Sequence, residues 1–488
     1  MKKLLAIFIV VVSVFACTDD FEEMNVDPKT ASGNVPANTL FSNAQKNLTD
    51  IVTSSNQNLN IFRLLAQYWT QTTYTDESRY DLSTRNIPQN FWNILYRDVL
   101  SDLRQARDFV NTDPDISDAQ RANQLAMIEI IEIYTWAVLV NTYGDIPYTE
   151  ALNIENVVPV YDDDAAIYNS LLTRIDAAIN SLDPAATGFT SSDLLYGGNI
   201  SQWVKFGNSL KLKLGMTIAD VNSATAAQVV AEAAPNVFES NEDNSSLQYL
   251  ATPPNTNPIW VDLVQSGRRD FVAANTIVDV MNDLNDPRRD AYFTTVANDD
   301  DEEVFRGGIY GRSNSYSLFS KPDEQITSPV FEGLLLDYAE VEFFLAEAAA
   351  RGYIAESPAE HYRQGISASM EYWGVENAEI TAYLTRPEIL ADLAALAVGA
   401  GTISERQKQA IGTQKWLALY NRGHEGWTEW RRLDYPQLQP ADPAILPAIP
   451  VRFPYPVQEQ NLNTANYNAA SGAIGGDLPS TRVFWDID

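Results

Sequence analysis

The chain is poor in the residues that build most covalent and metal-dependent chemistry. It has one Cys and two His in 488 residues. A single Cys forms no internal disulfide, and so few Cys and His cannot supply a structural zinc site. With two His, a multi-His catalytic metal centre is not expected. Basic residues are also scarce: 33 Lys and Arg stand against 65 Asp and Glu, a formal charge of −32. A surface that neutralises nucleic-acid phosphates needs a basic face, so nucleic acid is not an expected partner. What the chain has in quantity is aromatic side chains, with 23 Tyr, 19 Phe and 10 Trp. A hydrophobic share of 45% is enough for a sizeable core and excludes wholesale disorder.

The one Cys stands at an informative place. Lys2 and Lys3 precede an apolar run over residues 4–15. That run is shorter than the roughly 20 residues a membrane-spanning helix needs, and it reads as the h-region of a signal peptide, residues 1–16. Val14-Phe15-Ala16-Cys17 resembles a bacterial lipobox, in which the Cys takes a diacylglyceryl group and becomes the first residue of the mature chain. Cys17 is therefore the expected lipidation site; the alternative is ordinary secretion with a stray thiol. Removal of Lys2 and Lys3 takes the charge to −34. Residues 17–40 read as an acidic, lipidated tether, and its Thr18-Asp19-Asp20-Phe21-Glu22-Glu23 cluster resembles an export signal for the outer face in Bacteroidetes-type bacteria.

Beyond the tether, residues 41–488 read as one mostly α-helical body. Apolar residues at helical spacing predict helices over 58–70, 91–110, 118–143, 162–182 and 201–221. A second block covers 335–352, 358–373, 377–398 and 404–422. The stretch 118–143 is apolar enough to imitate a membrane span, but Glu129 and Glu132 interrupt it, so it is assigned to the core. Residues 236–330 read as a loop-rich insertion containing one good helix, 271–284. Residues 435–488 read as Pro-rich loops. The pairs 118–143 with 162–182 and 335–352 with 358–373 look like helical hairpins. The small and aromatic alternation of residues 337–348 is like that of tetratricopeptide helices.

Several short motifs occur in a telling order. They are Asp20-Phe21-Glu22-Glu23-Met24-Asn25-Val26-Asp27-Pro28, Tyr143-Gly144-Asp145-Ile146-Pro147-Tyr148, Asn257-Pro258-Ile259-Trp260 and Asn285-Asp286-Pro287-Arg288-Arg289. Ala346-Glu347-Ala348, Trp427-Thr428-Glu429-Trp430-Arg431-Arg432 and Arg452-Phe453-Pro454-Tyr455-Pro456 follow. With the lipobox, this set resembles the SusD/RagB family of outer-membrane nutrient-binding lipoproteins, in its SusD-like subgroup. The resemblance implies a SusD-like α/α fold with four tetratricopeptide-like units and an insertion on the ligand side. It implies a lipid-anchored protein on the outer membrane, facing the cell exterior. It also implies docking on a SusC-like TonB-dependent transporter, and binding rather than catalysis. The usual ligand would be an oligosaccharide, although some relatives take peptides.

A saccharide site needs aromatic faces for sugar C–H surfaces and polar side chains for hydroxyls, on exposed loops. Two stretches qualify. One holds Tyr74, Arg79 and Tyr80; the other is the insertion, with Trp260, Tyr310, Arg312 and Tyr316. Gly307, Gly308 and Gly311 would let backbone and ligand approach closely. The competing reading of each aromatic is packing of its loop against the helices. Trp136, Trp203, Trp373 and Trp416 fall in helical patterns and are assigned to the core, and His361 and His424 to structural roles. Asp299, Asp300 and Asp301 could offer oxygen ligands to Ca2+, although a solvated acidic loop explains them as well. No other cofactor is expected. A glycoside hydrolase needs only two suitably spaced carboxylates, so that class stays open, as does a structural lid without its own ligand site.

Overall fold

The structure is a computed structural model that describes residues 35–487. The signal peptide 1–16, Cys17 and most of the tether lie outside the described residues. Helix α1 (Ala37–Thr53) starts inside the stretch assigned to the tether, so 37–40 belong to the body. Its Leu40, Phe41, Ala44, Leu48, Ile51 and Val52 are buried at helical spacing.

Helical hairpins dominate the rest. Helices α2 (Asp118–Tyr143) and α3 (Asp164–Ser181) form the first. They run antiparallel: Tyr168 Oη donates to Asn141 Oδ1 at 2.6 Å, while Arg174 Nη2 meets Glu132 Oε2 at 2.8 Å. Helix α2 is long and apolar enough to cross a membrane, but 89% of its most apolar window is buried in the protein. Glu129 and Glu132 are held by Arg107 and Arg174, so the charges that interrupt the run are neutralised at the edge of the core.

The second hairpin joins α4 (Ile200–Thr217) to α5 (Ser223–Ala233), with Lys211 reaching Glu232 at 2.6 Å. The third joins α6 (Tyr338–Arg351) to α7 (Pro358–Tyr372). Gly365 lies against the Phe343 ring, where even a methyl group would sit about 3.0 Å from ring carbons. The fourth joins α8 (Glu405–Ala418) to α9 (Gly423–Leu433), linked by Lys415 and Glu429 at 2.8 Å. Six of these starts, α2 to α7, and that of α8 carry a side-chain N-cap, from Ser117, Asp163, Asn199, Asn222, Asp337, Ser357 and Ser404.

The interior is unusually ionic. Arg432 bridges Glu347 and Glu429, and Arg422 bridges Asp337 and Glu340, all buried. These pairs connect α6 to α9. Burial alone would push the carboxyls of Glu347 and Glu429 up, but the guanidinium of Arg432 beside them holds both below the usual carboxylate range. Trp136, Trp203, Trp373 and Trp416 are core residues, as expected. His424 bonds Thr142 and His361 bonds Glu342.

Among the described residues strands are few and short: β1 (Trp69–Gln71), β2 (Ser245–Leu247), β3 (Phe271–Ala273), β4 (Val296–Ala297), β5 (Glu303–Val304) and β6 (Gly333–Leu336). They form three antiparallel pairs, β1 with β3, β2 with β6 and β4 with β5.

Four expected elements differ. The 58–70 helix is only Phe62–Leu65, because Gln67 turns at φ +57° and the chain continues as β1. Tyr68 and Trp69 are both buried, so their burial needs no helical period. The 271–284 helix begins as β3 and is helical only over Asn275–Asp283. The 377–398 helix is two, Asn377–Leu384 and Pro387–Ala395, broken before Pro387. The 435–488 segment contains two helices, Val457–Leu462 and Thr464–Ala473, where only loops were expected.

Candidate functional site

The two loop stretches singled out in the sequence meet. Strand β1 pairs with β3 through Gln71 and Phe271. Just past that pair, Thr72 N–H donates to Asp270 O at 2.9 Å and its hydroxyl to Arg269 O at 2.6 Å. The carbonyl of Thr72 accepts from Asn314 N–H at 2.8 Å. The Asn314 amide also bonds the carbonyls of Gln71, Ile309 and Arg312. One residue thus fastens the 72–80 loop, the 268–270 turn and the 306–316 loop together. Tyr74 and Tyr316 each lie two residues from this knot.

Tyr74 is 65% exposed, with its ring available to a ligand. Tyr316 is half-buried and borders a cavity of about 200 Å3. Leu263, Val264 and Phe271 are among the cavity's apolar lining residues, and Arg268, Arg269 and Lys321 form a polar rim. Arg269 and Lys321 each place their charge 5.4 Å from the Tyr316 ring centre. Arg268 pairs with Asp270 at 2.5 Å. Partial burial lowers the affinity of the Lys321 ammonium for its proton. This basic rim was not singled out in the sequence. The signal available was Arg268-Arg269 beside Gly267, a local reversal of charge in an acidic chain.

Other expected ligand residues are engaged by the protein itself. Tyr80 is 1% exposed and Tyr310 7%. The Tyr80 hydroxyl accepts from Ala441 N–H at 2.9 Å, and Tyr310 Oη donates to Leu64 O at 2.6 Å. With no exposed face, neither ring can stack on a sugar, so both are corrected to packing residues. Arg79 Nε donates to Pro443 O and Arg312 Nε to Asp442 O, each at 2.9 Å, which fastens the 441–445 segment beside the loops. Trp260 is half-buried and precedes the turn that carries Leu263 and Val264, but does not line the cavity. The glycines serve close approach within the chain rather than to a ligand. A Cβ on Gly307 would strike the Asn275 backbone, and one on Gly311 would lie 2.6 Å from the Ala441 Cβ.

The acidic loop at Asp299, Asp300 and Asp301 is an exposed turn closed by the Asn298 side chain, which accepts from Asp300 N–H and Glu302 N–H at 2.9 Å. Among the described residues, the carboxylates that do converge are those of Asp145, Asp163 and Asp164, within 4.8 Å of one another. Each spends one oxygen on a backbone N–H: Asp145 on Asp164, Asp163 on Ala166, and Asp164 on Phe484. Burial, with the neighbouring charges of Asp145 and Asp163, raises the Asp164 carboxyl to about 7. The cluster is sited at the 143–148 motif and the start of α3, away from the Tyr74 loop in sequence.

Two further grooves, about 290 and 410 Å3, flank α1 and share Lys46. Several of their polar groups bond within the protein: Lys46 pairs with Asp50, Tyr249 Oη donates to Asp50 at 2.8 Å, and Asn43 to Asp102 at 2.7 Å. They are larger than the Tyr316 cavity, but Lys46 is the one cation in their lining and it is paired.

Comparison with known proteins places this architecture. A SusD-like family, described as starch-binding and associating with the outer membrane, matches residues 28–456. A solved chitin-binding protein shares 26% identity at TM-score 0.79, covering 93% of this chain and 100% of its own. A SusD homolog from Bacteroides uniformis shares 25% at TM-score 0.77, with 92% and 99% covered. A chitin-binding SusD homolog from Flavobacterium johnsoniae shares 24% at TM-score 0.78, with 93% and 99% covered, which bears on fold alone. No curated protein matches. With the family match spanning most of the chain and the same hairpin architecture throughout, the protein belongs to the SusD-like family.

Proposed function

We propose that this protein captures an oligosaccharide at the cavity beside Tyr316 and Tyr74 and delivers it to a SusC-like TonB-dependent transporter. The observation that carries the reading is the Asn314–Thr72 knot. It ties the loop of the exposed Tyr74 to the loop of the half-buried Tyr316 and to the 268–270 turn, segments from distant parts of the chain. Family membership and the chitin-binding protein at 26% identity support a glycan as the ligand. The protein would act from the outer membrane, held by lipid on Cys17 and facing the exterior, with residues 17–36 as its tether and the remainder as one ligand-binding body.

Binding rather than turnover is the proposed activity. The mature protein incubated with an oligosaccharide array should retain ligands without releasing shorter products by chromatography. Combined Tyr74→Ala and Tyr316→Ala should weaken retention at least tenfold. Product release would move the protein to the hydrolases. Unchanged retention in the double variant would remove the site, and import that survives it would favour a lid without a ligand site of its own.

A further inference from the structure

We infer that the saccharide taken at the Tyr316 cavity carries negative charge, as a uronate carboxylate or a sulfate. The inference rests on the glycan-binding reading and narrows its ligand class.

Charge is concentrated at this cavity against the trend of the chain. The protein has about twice as many acids as bases, yet three cations, Arg268, Arg269 and Lys321, line one cavity of about 200 Å3. Two carboxylates, Asp270 and Glu324, share the lining. Asp270 is already committed, since it takes Arg268 at 2.5 Å and the Gln57 amide at 3.1 Å.

Arg269 and Lys321 differ from most cations of this chain. Among the described residues neither forms an ion pair. Each sits instead 5.4 Å from the centre of the Tyr316 ring, so their charged groups are at most about 11 Å apart, within the span of one acidic sugar and its neighbour. The Lys321 ammonium is partly withdrawn from water, and burial is the cause acting on it. An anion seated between these groups would restore what burial removes. A guanidinium also offers a planar pair of N–H donors that matches carboxylate and sulfate oxygens.

A neutral glycan gains nothing from such an arrangement beyond hydrogen bonds that uncharged Asn or Gln would supply. The surrounding field sharpens the point. A chain with net charge −32 repels anions at long range, so an anionic ligand requires a local cationic rim.

The test uses the purified mature protein and an array of uronate-bearing and sulfated oligosaccharides. Each is printed beside its carboxyl-reduced or desulfated counterpart, with poly-glutamate as a non-saccharide anion. At least a tenfold preference for the charged member of a pair is expected, shrinking as NaCl rises from 50 to 500 mM. Arg269→Gln with Lys321→Gln should erase that preference, lowering binding of the charged member of each pair at least tenfold more than binding of its neutral counterpart, while far-UV circular dichroism shows the fold retained. Equal or better binding of neutral members would overturn the inference and leave the glycan reading standing. A preference that survives the double substitution would overturn it as well. Poly-glutamate bound without any saccharide, or no saccharide of either kind bound, would overturn the glycan reading itself.

Discussion

The Asp145–Asp163–Asp164 cluster gives a pH dependence that can be worked from the structure. Asp164 is 6% exposed, and burial is the largest cause of its displacement from the ordinary 3.8 to about 7. The charges of Asp145 and Asp163 push the same way; only the hydrogen bonds from Phe484 and Ala165 N–H oppose. A carboxyl raised in the folded state favours folding while protonated. That contribution is fully present below the unfolded value and is lost as pH rises through about 7. A shift of this size corresponds to about 4 kcal/mol between acid and pH 8 at roughly 1.4 kcal/mol per unit. Asp164→Asn mimics the protonated form and keeps an acceptor for Phe484 N–H. Urea titrations of both proteins from pH 4 to pH 8 give the difference in stability, and effects of the general acid excess largely cancel in it. Near pH 4 the two should agree within about 1 kcal/mol, the worth of an altered hydrogen bond. By pH 8 the variant should be the more stable by several kcal/mol. A difference that stays flat across that range, or grows towards acid, would refute the assignment of a buried and repelled carboxyl.

Other expectations follow from single contacts. Gly423→Ala places a methyl against the backbone of Phe62 and Arg63 and should cost about 1–3 kcal/mol or more in denaturant unfolding. Arg432→Met leaves Glu347 and Glu429 buried without their guanidinium and should cost about 3–5 kcal/mol by the same measurement. Tyr80→Phe strands the Ala441 N–H and should cost about 1–3 kcal/mol in melting or urea titration, while oligosaccharide binding stays within twofold because the ring faces no ligand. Cys17→Ser should release the protein from membranes into the medium or periplasm in fractionation, since each buried lipid CH2 is worth roughly 0.8 kcal/mol.

The hairpin helices were legible where two signals coincided. Helix α2 has an apolar run and a Ser117 cap, and its predicted limits are its observed ones. Helices α3, α6, α7 and α8 start within about three residues of expectation, each at a polar cap. The helices that escaped notice lack one of the signals. Neither α1 nor α9 has a side-chain cap, since each follows Pro36 or Arg422. Helix α9 is also short and buried almost all round, with the charges of its polar stripe paired inside the protein rather than facing water. Helix α5 is alanine-rich, and small residues give weak periodicity. The pairing of β1 with β3 joins residues some 200 positions apart, and no local pattern announces it.

The same distinction explains the site. Tyr among Asp, Ser, Gly and Arg is a loop composition, so the sequence picks out two loops, and the structure joins them through Thr72 and Asn314. The sequence could not tell which ring faces outward, because that depends on the partner each hydroxyl finds. Tyr80 and Tyr310 find Ala441 and Leu64 inside, whereas Tyr74 remains outside and Tyr316 takes two cations. Charge is the better guide here, since it reports on scarcity. In a chain with twice as many acids as bases, most cations of the described residues pair with a carboxylate, as Arg422, Arg432 and Lys415 do, while buried Arg63 and Arg431 bond carbonyls instead. A cation left beside a cavity without a carboxylate has escaped strong competition. Arg269 and Lys321 are both in that position at Tyr316, which makes the cavity's charge, more than its size, the property that separates it from the larger grooves along α1.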